Sequence, residues 1–197
     1  EPLGLLYDRT FSVPWTLHAV ERNRLLAAQA LGYALPAQVD YGVRAAPGKF
    51  SWLPAARYAV LLHATSAERK LWREANWIEM GRYFMKQGIA CVLPWGNIGE
   101  RARSDRLAAQ ISGSIVPPAL GLGDAAALLA GAHAAAGVDT GLVHLAAALG
   151  TPTVGIYCAT DPGATGIYAC PRALNLGAAG KPPAVSDVLA ALESLVC

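Results

Sequence analysis

Charge is scarce in this 197-residue chain: 16 basic and 14 acidic side chains leave a net charge of +2, and charged residues make up 15% of it. So even a balance builds no broad positive field, which argues against a nucleic-acid partner and leaves any anion to be met by a local arrangement. Cysteine is sparse as well. Cys91, Cys158, Cys170 and Cys197 form no CxxC pair and no Cys/His cluster at zinc spacing, so neither a metal site nor a disulfide framework is expected, and a reducing cytosol suits the chain. Although 54% of the residues are hydrophobic, no run approaches the roughly 20 apolar residues of a membrane-spanning helix. Glu1 opens the sequence with no basic segment leading into an apolar run, so no secretory signal is expected and the chain reads as part of a longer protein.

Several phosphate and acyl-transfer motifs are missing too. There is no Walker A loop, no GxGxxG, no GxSxG and no DxD-type pair of carboxylates, which argues against a nucleoside triphosphatase, a classical dinucleotide enzyme and a serine hydrolase. No metal is expected, and no cofactor is required by the sequence. A diphosphate, if bound, would have to be held by a cation and a helix N-terminus.

What the chain does have is alanine-rich helical periodicity and short apolar runs. Residues 15–31 place apolar side chains at helical intervals before Gly32, which predicts one long helix with a glycine C-cap. Residues 33–56, rich in Pro, Gly and Ala, read as a connector with short strands. Beyond it, apolar runs at 58–63, 89–93, 132–138 and 153–157 alternate with helical patterns at 74–87, 98–110, 123–131, 140–149 and 185–196. Further short strands are expected at 114–116 and 173–176. This alternation predicts an α/β, Rossmann-like parallel sheet with helices on both faces over residues 57–197, with 1–56 as a linker that carries the long helix.

Ligands of open parallel sheets sit beyond the carboxyl ends of the strands, so the residues after each run are the ones to inspect. HATSAERKLW at 63–72 offers the hydroxyls of Thr65 and Ser66 and the cation of Lys70, a set suited to a phosphate, or else a plain surface turn. GVDTGLVHLAAAL at 137–149 brackets a strand-to-helix turn with Gly137, Asp139 and Gly141. There Asp139 or Thr140 can cap the helix, and the first-turn N–H groups form an anion site. His144 follows Thr140 by four residues on the same helical face, near that positive end, where a phosphate would favour its imidazolium form. LPWGNIGERAR at 93–103 presents Glu100 for the hydroxyls of a ribose, with pairing to Arg101 or Arg103 as the bland alternative. In YCATDPG at 157–163, Thr160 and Asp161 follow another run, where Asp161-Pro162 can be simply a turn.

In this order and at these separations, HATSAERKxW, LPWGxxxExxRA, GVDTGLxHLAAALGTPTVGIY and ATDP resemble the donor-domain motifs of glycosyltransferase family 9, the lipopolysaccharide heptosyltransferases. HAVERNRLL at 18–26 is similar to the segment leading into that domain in the type I enzymes. The resemblance implies the C-terminal half of a GT-B enzyme that transfers L-glycero-D-manno-heptose from ADP-heptose, with inversion, to the Kdo region of lipid A. It implies a peripheral position on the cytoplasmic face of the inner membrane. Thr65, Ser66 and Lys70 would meet the diphosphate, Asp139, Thr140, Gly141 and His144 would complete the donor pocket, Glu100 would hold the ribose, and Leu120 would lie beside adenine. Lys70 would stabilise the leaving phosphate. The general base is expected on an N-terminal acceptor domain with no counterpart here, and Asp8 and Asp40 are not assigned to that role. The rival readings are a type II enzyme or another user of ADP-heptose, a noncatalytic nucleotide-binding module, and a nucleotide-sugar epimerase.

Overall fold

The computed structural model describes residues 6–196. Its centre is a parallel sheet of β1 (Tyr58–Leu62), β2 (Ala90–Val92), β3 (Ala134–Val138), β4 (Thr153–Tyr157) and β5 (Ala173–Gly177), arranged in the order β2-β1-β3-β4-β5. Every residue of β1, β3 and β4 is buried. A parallel strand covered on both faces needs apolar side chains at all positions, which is why these segments read as continuous runs.

Alternate residues serve two cores. Ala59 and Leu61 face α2 (Glu74–Lys86), α3 (Ile98–Ala108) and α7 (Val185–Val196), packing among Trp77, Met80, Leu107 and Val188. Val60 and Leu62 face α4 (Leu122–Ala130) and α5 (Gly141–Ala148), among Leu128, Leu129, Val143 and Ala146. Helices therefore cover both faces. Trp72 and Trp77 are fully buried and meet edge to face at 5.2 Å. Beyond their burial, such a contact contributes about 0.5–1.5 kcal/mol. On the opposite face Gly137 lets α5 close onto the sheet, because a Cβ there would lie 2.9 Å from Leu62 Cβ and 3.0 Å from Val143 Cγ2.

Several boundaries depart from the sequence reading. α1 (Ala19–Leu31) starts four residues later than the periodicity suggests, because Leu17 N–H turns back to Pro14 carbonyl at 3.3 Å and His18 Nδ1 accepts Val20 N–H as the N-cap. It ends as expected at Gly32, whose φ of 72° gives the left-handed cap. The connector through residue 56 holds no strand among the described residues. The strand expected at 114–116 is reduced to a single bridge between Val92 and Ile115. Two short elements have no counterpart in the periodicity, a 3₁₀ turn at Glu68–Lys70 and α6 (Pro162–Thr165). Cys91, Cys158 and Cys170 are free thiols; Cys197 lies outside the described residues.

α1 is tied to the loop after α6. His18 Nε2 lies 3.1 Å from Gly166 carbonyl, its ring stacks on Tyr168 with centroids 4.4 Å apart, and Tyr41 hydroxyl donates to Tyr168 carbonyl at 2.7 Å. Since Nδ1 of His18 accepts from Val20, Nε2 is the nitrogen that donates.

Candidate functional site

The strand order reverses between β1 and β3: from β1 the chain moves outward to β2, and from β3 outward to β4 and β5. Open α/β sheets bind ligands in the crevice at such a switch point. Here Leu62 pairs in register with Gly137, so the segments leaving both strands emerge side by side.

Asp139, the first residue after β3, is where they meet. Its main-chain carbonyl accepts Thr65 hydroxyl at 3.1 Å, and its Oδ2 accepts both Lys70 Nζ and Thr160 hydroxyl at 2.8 Å. His144 Nε2 lies 3.8 Å from Oδ1, too long for a hydrogen bond. Burial alone would raise the Asp139 pKa, yet the bonds from Lys70 and Thr160, with the charges of Lys70 and His144, outweigh it and hold the carboxyl below its usual range. Asp139 is thus ionised, and Lys70 reaches back across the loop to find it. The 3₁₀ turn ending at Lys70 directs the side chain there.

Thr140 occupies the N-cap position of α5 but makes no side-chain capping bond, and Asp139 is engaged elsewhere. The expectation that either side chain caps this helix therefore fails, because Asp139 is drawn to Lys70 and Thr160. First-turn N–H groups of a helix have no partners within it. In α5 the Val143 N–H bonds back to Thr140 carbonyl at 3.2 Å, and a Cβ added at Gly141 would meet nothing within 4 Å, so the helix start is uncrowded at Gly141.

Beside this polar hub lies a cavity of ≈ 280 Å³ whose walls include Leu62, Pro94, Trp95, Leu120 and Leu142, with Glu100 and Thr140 as polar edges. A mostly apolar cleft with few polar groups is the usual form of a small-molecule site. Glu100 is fixed on α3, where Asn97 accepts Glu100 N–H at 3.0 Å as the N-cap, and Glu100 Oε2 accepts Gly96 N–H at 2.7 Å. Its suggested arginine partners are used otherwise: Arg101 pairs with Asp105, and Arg103 with Glu74.

The chain matches the family model of glycosyltransferase family 9 (heptosyltransferase) over residues 3–186. It belongs to glycosyltransferase family 9. Lipopolysaccharide heptosyltransferase 1 of Pseudomonas aeruginosa is 46% identical over 173 residues, 85% of this chain and 48% of that protein. The chain spans about half the length of the curated relatives it matches. Among solved structures, Escherichia coli heptosyltransferase WaaC with ADP is similar at a TM-score of 0.82 and 35% identity, covering 99% of this chain and 62% of that one. WaaC with ADP-2-deoxy-2-fluoro heptose is similar at a TM-score of 0.77 and 35% identity, over 98% of this chain and 61% of that one.

Within this family 9 chain, Thr65, Lys70, Asp139 and His144 converge on one hub, while Glu100, Leu120 and Thr140 line the adjoining cavity. Gly141 begins α5 between the two. Ser66 differs: it is exposed at the bend before the 3₁₀ turn, and the hub is built without it. Burial lowers the His144 pKa, with Asp139 opposing and the charges of His18 and Lys70 reinforcing that shift, so an imidazolium there depends on the phosphate expected beside it. Asp161 is the N-cap of α6, accepting Gly163 N–H at 2.8 Å. Thr160, read from the sequence as a polar residue after an apolar run and given no role in the donor pocket, is a direct partner of Asp139. Its place after a strand was the signal available. Among the described residues no group of three or more His, Cys, Asp or Glu side chains is placed to hold a metal ion, and no helix is long and apolar enough to cross a membrane.

Proposed function

We propose that this chain is the donor-binding half of an inverting heptosyltransferase of lipopolysaccharide inner-core assembly, gripping ADP-heptose across the β1/β3 crevice. The observation that carries this reading is the joining of an apolar cleft, edged by Glu100, to a polar hub that holds Lys70 against Asp139 at a helix N-terminus. Adenine fits against Leu120 and its apolar neighbours, the ribose faces Glu100, and the diphosphate runs to Thr65, Lys70 and the open first turn of α5. A solved relative similar over nearly the whole chain is described with ADP, which supports ADP as the nucleotide of this site.

As the glycosidic bond to phosphate breaks, negative charge grows on the departing ADP. Lys70 and the α5 N–H groups oppose that charge, the preorganised electrostatic contribution that is usually large in catalysis. The acceptor, the Kdo region of lipid A, and the base that takes its proton are assigned to the half of the relatives that this chain does not span. Residues 1–56 then form the link between the halves and 57–197 the donor domain. The full enzyme works as a peripheral protein on the cytoplasmic face of the inner membrane. The type I acceptor is favoured over type II by 42–46% identity to proteins named heptosyltransferase 1.

Titration calorimetry with ADP, paired with a radiolabelled transfer assay, tests the reading. The 197-residue chain binds ADP saturably and forms no heptosylated product, since positioning of the acceptor and proton transfer each carry large factors in rate. Absence of ADP binding would refute the donor-site reading, and transfer by the chain alone would place the base among its own residues.

A further inference from the structure

We propose that Thr160 is a positioning residue of the donor site: its hydroxyl holds the Asp139 carboxylate in place while Lys70 turns to the donor diphosphate. This rests on the donor-site reading above.

Asp139 is almost enclosed, its side chain 11% exposed, and Oδ2 has two donors, Lys70 and Thr160, both at 2.8 Å. A carboxylate cannot accept a hydrogen bond from a fully ionised phosphate, and the two repel. The ligand groups it can accept from are therefore hydroxyl donors, of which the sugar beyond the diphosphate has several. When the diphosphate arrives it draws the Lys70 ammonium toward itself, so Asp139 shares or loses its cationic partner while new negative charge appears nearby. His144 at 3.8 Å gives charge but no hydrogen bond in this arrangement. Thr160 is then the hydrogen bond that keeps a nearly enclosed carboxylate ionised and aimed.

Thr160 is itself held. It leaves β4 directly before Asp161, whose side chain caps α6, and Gly166 at the end of α6 receives His18. Its hydroxyl is consequently anchored from both directions along the chain. A water molecule in its place would have no such constraint.

Thr160→Val keeps the shape and removes the donor; Thr160→Ser keeps the donor. ADP affinity of the three proteins is measured by calorimetry from pH 5 to 8, with the near-ultraviolet dichroism of each recorded to establish the native fold. At pH 7.5, Thr160→Val loses about tenfold in ADP affinity, the order expected for a hydrogen bond to a charged group. The deficit shrinks toward pH 5, because protonating the stranded Asp139 relieves the complex, and Thr160→Ser follows wild type throughout. A loss that is the same at every pH, no loss at all, or a serine variant as weak as the valine variant overturns the proposal. If wild type itself does not bind ADP, the donor-site reading falls and takes this inference with it. If wild type binds and only the valine variant is unaltered, the reading stands and the inference alone is wrong.

Discussion

Lys70 is the residue on which the donor site depends most directly. Its 2.8 Å contact with Asp139 shows that the side chain spans the crevice, so a short turn of the ammonium brings it to a diphosphate. Lys70→Ala is expected to weaken ADP binding by about 1.5–3 kcal/mol, read by calorimetry, the range for a hydrogen bond to a charged group. Unchanged affinity in the folded variant would reduce Lys70 to a structural partner of Asp139. Glu100→Ala should weaken ADP and ADP-heptose alike, whereas 2′-deoxy-ADP should bind wild type more weakly than ADP does and lose little further affinity for the variant. Equal losses would remove Glu100 from the ribose. A different kind of residue is His63, wholly buried, with Nε2 at 2.9 Å from Ser104 hydroxyl and its pKa pushed down to about 4 by burial and then by the Arg103 charge. The folded state takes up its proton less readily than the unfolded state. Its contribution is therefore full above about pH 6.5 and is lost as pH falls toward 4, an effect of about 3 kcal/mol. Urea unfolding at pH 7.5 and 4.5 measures it, and His63→Gln should flatten the difference. The sequence made the residue types of the hub legible, because each follows an apolar run. Their pairing was not legible, since whether Lys70 meets Asp139 or solvent depends on a 3₁₀ turn that no periodicity marks.

At the scale of elements, the reading from sequence succeeded where burial imposes a pattern. β1, β3 and β4 are enclosed at every position and stood out as runs, and α7 keeps its apolar face on the sheet over the expected 185–196. It failed where local hydrogen bonds decide: at the start of α1, where His18 competes for the first turn, and at α6, where Asp161 converts an Asp-Pro turn into a short helix. α5 is the element with the most at stake. Its N-terminus serves the donor site only because Gly137 admits it close to β1, so Gly137→Ala, with contacts near 3 Å to Leu62 and Val143, should destabilise the fold by about 1–3 kcal/mol. It should also weaken ADP binding through displacement of the helix. Denaturant midpoints and calorimetry on the same variant test both effects. Retained ADP affinity despite lost stability would show that α5 need not be so close.

For the whole molecule, the decisive feature is that the hub gathers residues far apart in the chain: Thr65 and Asp139 are separated by 74 positions, and Thr160 stands 21 beyond Asp139. Their meeting waits on the pairing of β1 with β3, a non-local event that is slow to form in any chain. The donor site, built from the segments beyond those strands, is therefore expected to be completed only after that pairing, late in folding. ADP should accordingly leave the refolding rate unchanged and slow unfolding. At about 100 times its dissociation constant it should add about 2.7 kcal/mol of stability, nearly all of it on the unfolding limb of a stopped-flow chevron. A ligand that instead accelerated refolding would mean that the crevice forms early. With the effect confined to unfolding, nucleotide acts on this protein as a brake on its loss, lengthening the lifetime of copies already folded without helping new ones to fold.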